Sequence, residues 1–584
     1  MLGSFIVTIV VVVAAALLVW FVVIPQFSRI SLFNNREFIP FAQYYSLSTT
    51  QPIVVIDNQI LRDAPEFIVE NIAGTHYVYI PHHFVRDNID PFLFWDRGAG
   101  AFFASTRYEM LEFAPGRNTF TINGNSTPLA TPLRMDNDHI MLPADLIQGL
   151  YGIAISYHPE NSIVAISTTE MLAELSVGTL AASSPVKFRP EMRSPLIIDL
   201  AEGDTVYVFT QQVRNDYYRV RTTCGLVGYL AREDVASITT TNQLESLTPM
   251  LSSGWVENLT PLVPNWDGGP INLVWEAAHN QDANLIRMQT PFHHSVTAVS
   301  PTWFDFNMDT MGLTINVSRD YVEWAQAQGV YVWPKVFDMN NATARAILMN
   351  RDARTRVINQ LVHAVDTYNL DGINIDIEHL LSPEEGPYKI QFLRELAIPM
   401  RQRDVVLSAA VKIPAPWTMF YRRDLIALTV DFVAVMTYDE HYNTSAVAGP
   451  VASLPWVQQA VNNMLLEVPR EQLIMGIPFF NRAWREVVLE DGPPRALNWS
   501  MTHTQNFFAE HGVEWVWDSQ VGSYYGEVAV IEDGQAVRYR VWLEDARSIE
   551  AKMQIYLVYD LAGVGIWRRG FETPDIWNIL GQHF

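Results

Sequence analysis

Hydrophobic positions follow three regimes along the 584 residues. From Phe5 to Pro25 the chain is uncharged and rich in Val, Ile, Leu and Ala, long enough to span a hydrocarbon core of about 30 Å. No Lys or Arg precedes the run, and it ends Trp20-Phe21-Val22-Val23-Ile24-Pro25 without a small-x-small exit. A cleaved signal peptide wants both features, so residues 4–28 read as an uncleaved transmembrane anchor. Short alternating runs bounded by Gly and Asn turns then predict small β-rich domains up to about residue 237. From about 255 to the end, apolar runs of strand length alternate with helical stretches, the signature of an α/β domain.

In that last region the strands read as Ile271–Glu276, Ser295–Phe304, Val330–Phe337, Leu370–Glu378, Val405–Lys412, Phe432–Tyr438, Leu473–Phe479 and Gly563–Trp567. Helical runs separate most of them. The clearest is Arg354 to Tyr368, with apolar residues at Val357, Leu361 and Val365. Eight such units predict a (β/α)8 TIM barrel, interrupted in its last unit by a strand-rich insertion at about 484–541.

The fourth strand breaks the apolar rule. Side chains alternate in a strand, so in Leu370-Asp371-Gly372-Ile373-Asn374-Ile375-Asp376-Ile377-Glu378 the three isoleucines share one face. Asn374, Asp376 and Glu378 share the other. Strands buried on both faces normally read as continuous apolar runs, and polar groups there are costly unless hydrogen-bonded. The row suits either a satisfied structural network or chemistry. A glutamate at the C-terminal end of a barrel strand stands where such barrels carry their active sites.

Before the barrel, residues 52–170 hold an internal repeat. Ile80-Pro81-His82-His83-Phe84 is echoed by Leu142-Pro143-Ala144-Asp145-Leu146, and Ala104-Ser105-Thr106 by Ile166-Ser167-Thr168 at the same offset. Thr119-Phe120-Thr121-Ile122-Asn123-Gly124 between them alternates and turns, a hairpin signal. Residues 185–237 carry short strands with Gly turns, which fit a small β-barrel. The Ser/Thr-rich run from Ala236 to Gly254 reads as a linker.

Composition narrows the function. The net charge of −24 opposes nucleic-acid binding, which needs a basic patch, and gives no attraction to anionic lipid or wall polymers. One cysteine, Cys224, excludes an internal disulfide framework and a cysteine zinc cluster. His82 and His83 are adjacent, so on a helix or strand they cannot both face one metal. No cofactor or metal is expected.

The fourth strand resembles the signature of glycoside hydrolase family 18, Asp-Gly-x-Asp-x-Asp-x-Glu, at Asp371, Gly372, Asp376 and Glu378. It departs at Asn374, which is similar to spore-cortex-lytic and peptidoglycan-directed members. Met436-Thr437-Tyr438-Asp439, Gly476-Ile477-Pro478-Phe479 and Gly563-Val564-Gly565-Ile566-Trp567 resemble the family's runs on strands six, seven and eight. Tyr438-Asp439-Glu440-His441 followed by Gly449-Pro450-Val451-Ala452 looks closest to the spore-germination branch. The 52–170 repeat is similar to the small α+β domain named after the N-terminus of copper amine oxidase, without importing copper. Residues 185–237 resemble a bacterial Src-homology-3-like domain, through Val186-Lys187-Phe188-Arg189-Pro190 and Gly225-Leu226-Val227-Gly228-Tyr229-Leu230.

The resemblance implies a membrane-anchored glycosidase that cleaves β-1,4 bonds beside N-acetylglucosamine in peptidoglycan or chitin-like glycans. Glu378 would be the general acid, its pKa raised by low dielectric and by Asp376. Family 18 is substrate-assisted: the acetamido oxygen of the sugar attacks in place of a second carboxylate. Asp376 would orient the acetamide N–H, Tyr438 would donate to its oxygen, and Trp567 would floor the distorted sugar. Asn374, Asp371, Met436, Asp439 and Arg482 complete the expected substrate-binding set. An amide at Asn374 takes up no charge, so Asp376 is expected to ionise more readily than beside an aspartate. The competing reading is a catalytically silent barrel serving as a glycan-binding or structural envelope or spore protein. The positive-inside rule, through Arg29 and Arg36, favours a cytoplasmic C-terminal side. The domain resemblances favour the opposite, and the bulk of the chain is expected in the cell envelope or spore.

Overall fold

Strands that turn apolar side chains outward, towards the helices, close on one another in the C-terminal part of the chain. The structure is a computed structural model, and it describes residues 37–40, 44, 52–168, 171, 175–240, 259–264, 266–488 and 492–584. The expected membrane anchor at 4–28 lies outside the described residues. Among the described residues, no helix is long and apolar enough to cross a membrane.

The chain divides into two units, the second made of Phe92–Phe113, Thr121–Thr127 and Val256–Phe584. Its barrel strands are Ile271–Glu276 (β1), Ala298–Pro301 (β2), Tyr331–Val332 continued by Lys335–Phe337 (β3), Gly372–Asp376 (β4), Val406–Lys412 (β5), Phe432–Met436 (β6), Leu473–Pro478 (β7) and Gly563–Trp567 (β8). All neighbours are parallel and the ring closes from β8 back to β1. This is the expected TIM barrel. Trp333-Pro334 interrupts β3, because proline has no N–H for the ladder. The first half of β3 pairs with β2 and the second with β4.

Two apolar layers hold the barrel. Leu273, Trp275, Trp333, Ala410 and Ile474 fill its inside. Ile373, Ile375 and Ile377 point outward into the larger core beneath the helices. Helices begin where the sequence supplies a cap. The side chains of Asn280, Ser318, Asn340 and Asn350 each accept from the backbone N–H three residues on. The cap at Asn350 starts the helix Arg351–Tyr368 three residues before Arg354. Between β7 and the helix Ala546–Tyr559, an antiparallel five-stranded sheet runs from Phe480 to Leu543 and carries the helix Met501–Glu510.

The strands Phe94–Asp96, Ala101–Ser105 and Met110–Phe113 belong to the barrel's unit. They pack on the helices Arg351–Tyr368 and Gly386–Arg401. Arg354 donates to Asp96 at 2.8 Å, and both side chains are fully buried. Arg394 donates to the Ser105 hydroxyl and carbonyl, each at 2.9 Å. Phe94 meets Tyr388 edge-on, with centroids 4.9 Å apart.

In the first unit the repeat becomes two strand–helix pairs. Thr75–Pro81 leads into His82–Asn88, and His139–Pro143 into Ala144–Tyr151. The echoed residues meet across an antiparallel ladder, Ile80 opposite Leu142. A seven-stranded sheet lies between Leu175 and Thr240. Its last strand, Val235–Thr240, pairs with Leu175–Leu180, so the start of the expected linker is strand. The remainder of that linker, 241–254, lies outside the described residues.

Candidate active site

Local sequence explains how β4 presents its polar row. Gly372 starts the strand because a Cβ there would stand 2.4 Å from the Trp333 ring. The next inward residue, Asn374, is fully buried within the barrel. It accepts from Trp275 Nε1 at 3.0 Å and donates to the Ser408 hydroxyl at 2.9 Å. Asp376 is the last residue of the strand and also buried. Glu378 follows in the loop, half-buried at the top of the barrel.

The backbone of Glu378 is held from several sides. Its N–H donates to Asp338 at 3.0 Å. Its carbonyl accepts from Tyr421 at 2.7 Å and from Lys412 at 3.0 Å. The fully buried Lys389 donates to the preceding carbonyl, of Ile377, at 3.2 Å. Such support leaves the carboxyl group aimed by fixed backbone rather than by a mobile loop.

Burial first, and the Asp376 charge second, push the Glu378 carboxyl up to about 7, against the opposing pull of Lys335, Lys412 and His379. It is therefore a carboxylic acid able to donate a proton near neutral pH. Asp376 has a different environment. Lys335 on β3 forms an ion pair with its Oδ2, while its Oδ1 makes no hydrogen bond to the protein. Burial, then Glu378, Asp376 and Asp439, hold the Tyr438 phenol well above its ordinary value. Tyr438 therefore remains a hydrogen-bond donor.

A cleft of about 730 Å³ opens over these groups, within the range of small-ligand sites. Trp567 and Trp275 form its apolar side, with ring centroids 6.3 Å apart, and Lys335 Nζ lies 4.5 Å from the Trp567 centroid. Trp417, 76% exposed, and Tyr442 stand at its rim. Arg482, buried on the first strand of the inserted sheet, grips Asp439, Asn443 and Asn498. It thereby ties the insertion to the loop after β6.

Of the residues expected from sequence, Glu378, Asp376, Tyr438, Met436, Asp439, Arg482 and Trp567 line this one cleft. Asp371 does not reach it. It precedes β4, at the opposite end of the barrel from Glu378, and accepts from Val332 N–H at 2.8 Å and Gln326 at 3.0 Å. Its placement corrects the substrate-binding expectation: the carboxylate stitches the start of β4 to β3. Asn374 lies one layer beneath the cleft, engaged by Trp275 and Ser408, and does not line it. Sequence reasoning missed Lys335, Lys412, Asp338 and Tyr421. The available signal for Lys335 was a charge inside the apolar run Val330–Phe337. Among the described residues, no group of three or more His, Cys, Asp or Glu is arranged to hold a metal.

A carboxyl group raised to about 7 beside a second carboxyl group, at a barrel top with an aromatic wall, suits glycoside hydrolysis, and comparison with known proteins supports a glycoside hydrolase. The chain carries a domain of the family described as Glycosyl hydrolases family 18, matched over residues 340–572, and a Copper amine oxidase N-terminal domain over residues 55–166. The "Uncharacterized glycosylase YvbX" of Bacillus subtilis (strain 168) is 23% identical over 307 residues, covering 50% of this chain and 86% of that protein. The "Cortical fragment-lytic enzyme" of the same organism is 26% identical over 255 residues, covering 41% of this chain and 56% of that protein. Among solved structures, the spore cortex-lytic enzyme SleL of Bacillus megaterium QM B1551 is 21% identical with a TM-score of 0.48, covering 58% of this chain and 79% of that one.

Proposed function

We propose that this glycoside hydrolase cleaves β-1,4 bonds beside N-acetylglucosamine in peptidoglycan or chitin-like glycans, by substrate-assisted catalysis with retention. The observation that carries the reading is the commitment of the carboxylates in the cleft. Asp376 and Glu378 sit two residues apart on one strand end, beside one another rather than across a bond. The other acids lining the cleft, Asp439 and Glu440, are engaged by Arg482 and by the Ser453 N–H at 2.7 Å. A two-carboxylate retaining mechanism needs a nucleophile opposite the acid. Here that role falls to the acetamido oxygen of the substrate.

In this mechanism Glu378 protonates the glycosidic oxygen as the acetamide oxygen closes on the anomeric carbon. The free Oδ1 of Asp376 accepts the acetamide N–H, and its charge stabilises the oxazolinium ion. Tyr438 donates to the acetamide oxygen, and Trp567 lies under the ring. Water, activated by the deprotonated Glu378, then opens the oxazolinium from the face that the leaving group vacated. The names of the relatives support wall glycan as substrate. The apolar run at 4–28 supports membrane anchoring, with the bulk of the chain in the cell envelope or spore.

The test is to incubate the full-length protein and its Glu378→Gln variant with purified peptidoglycan and with N-acetylglucosamine oligomers. New reducing ends of retained anomeric configuration are expected from the parent, with at least a hundredfold loss in the variant. Glycan pulled down by both proteins without products would instead establish a silent, binding barrel.

A further inference from the structure

A lysine on the inner face of a barrel strand is costly to bury, and Lys335 is only 8% exposed at its side chain. In register it stands opposite Asn374, while Phe337 stands opposite Asp376. Its side chain therefore crosses to the acid of the next inward layer, over the face of Trp567. The other cations around the acids are engaged elsewhere. Lys412 and Lys389 donate to the Glu378 and Ile377 carbonyls. His379 Nδ1 lies 3.1 Å from Asp338, and Arg482 pairs with Asp439. Among the described residues, Lys335 is the cation that pairs with the Asp376 side chain.

We infer that Lys335 is a positioning residue for the reaction: it holds Oδ2 of Asp376 from the β3 side and leaves Oδ1 turned to the substrate's amide N–H. This rests on the substrate-assisted reading. A free aspartate beside Glu378 would share one proton with it, since neighbouring carboxylates oppose each other's ionisation. With an amide at Asn374 and a cation at Lys335, the two carboxyl groups face different partners before substrate binds: Asp376 the Lys335 ammonium, Glu378 the Asp376 carboxylate. The charged and titratable groups facing Asp376 and Glu378 are Lys335 on β3, Asp338 and His379 in the loops above, Lys389 on the helix after β4, Lys412 on β5, Tyr421 after β5, and Tyr438 and Asp439 after β6. Lys335 is the member of this set bonded to the carboxylate itself.

Activity needs Asp376 ionised and Glu378 protonated, so the acid limb of the pH profile reports the first and the basic limb the second. Removing the Lys335 cation destabilises both carboxylates, and both limbs move to higher pH. In the full-length protein, Lys335→Met is expected to shift the acid limb up by about 1 pH unit or more, to move the basic limb upward from about 7, and to lower kcat about tenfold with a smaller change in KM. Lys335→Arg is expected to restore the parental limbs. Lys335→Gln, which keeps a donor and loses the charge, gives the same alkaline shift and serves where the Met variant does not fold. Limbs unmoved in the uncharged variants, or an Arg variant displaced as far as the Met variant, would overturn the assignment. Carboxyl 13C titration of Asp376 and Glu378 in the parent and Lys335→Gln reads the same shift without turnover. A parent that cleaves no glycan thus defeats the glycosidase reading, while the titration separately decides Lys335.

Discussion

Two carboxyl groups on one strand end are suited to different roles because their neighbours differ. Glu378 has lost water and faces a carboxylate, while Asp376 faces an ammonium group. Asn374 beneath them matters as a neutral spacer. In Asn374→Asp, the Trp275 N–H still finds an acceptor, but Ser408 must turn its hydroxyl to the new carboxylate and give up the bond it makes to the Ile373 carbonyl at 3.3 Å. A buried group re-bonded in this way costs about 1–3 kcal/mol, read as a lower urea midpoint. The added negative charge also opposes ionisation of a neighbouring carboxyl group, so the acid limb moves to higher pH while activity survives. An unchanged acid limb would show that Asn374 does not set the charge of its neighbour.

The β4 element works as a unit because its start is wedged and its end is suspended. At the start, Gly372 lies under the buried Trp333 ring and Asp371 ties to β3. At the end, Asp338, Tyr421 and Lys412 fix the backbone of Glu378. Gly372→Ala would drive a methyl into Trp333. Overpacking of this kind costs about 1–3 kcal/mol, and the shift propagates along the strand to Glu378. The expected outcome is a lower urea midpoint together with a reduced kcat. Normal stability and kcat would mean that Trp333 moves aside without displacing the strand. The inserted sheet shows the same linkage between elements: one arginine on its first strand, Arg482, orders Asp439 on the barrel and Asn498 on the sheet.

On the scale of the whole molecule, the catalytic unit is not confined to the C-terminal half. Residues 92–113, well upstream of the first barrel strand, supply the partners for arginines on two barrel helices. Breaking a buried ion pair by removing one partner costs roughly 3–5 kcal/mol. Asp96→Ala should fall at the low end, because Glu395 remains 3.4 Å from Arg354. The measurement is the temperature at which glycosidase activity is lost. A fall of several degrees is expected, and an unchanged value would mean that the upstream strands do not support the barrel.

Much of the fold and part of the site were legible because they are local. β1 and β8 match their expected bounds, and β4 to β7 begin or end within two residues of theirs. The period-two pattern requires no knowledge of neighbours. Glu378 and Asp376 were legible for the same reason, as polar residues on one face of an apolar strand, and so was the aromatic residue closing β8. Asp371 was misplaced because alternation assigns a face and says nothing about the end of the barrel at which a side chain stops. The Pro334 break in β3, the partner of Lys335, the suspension of Glu378 and the docking of residues 92–113 all depend on which strands and helices become neighbours. Only the closed barrel decides those neighbours, and with them which of two adjacent acids meets a lysine and which is pushed up by its neighbour's charge.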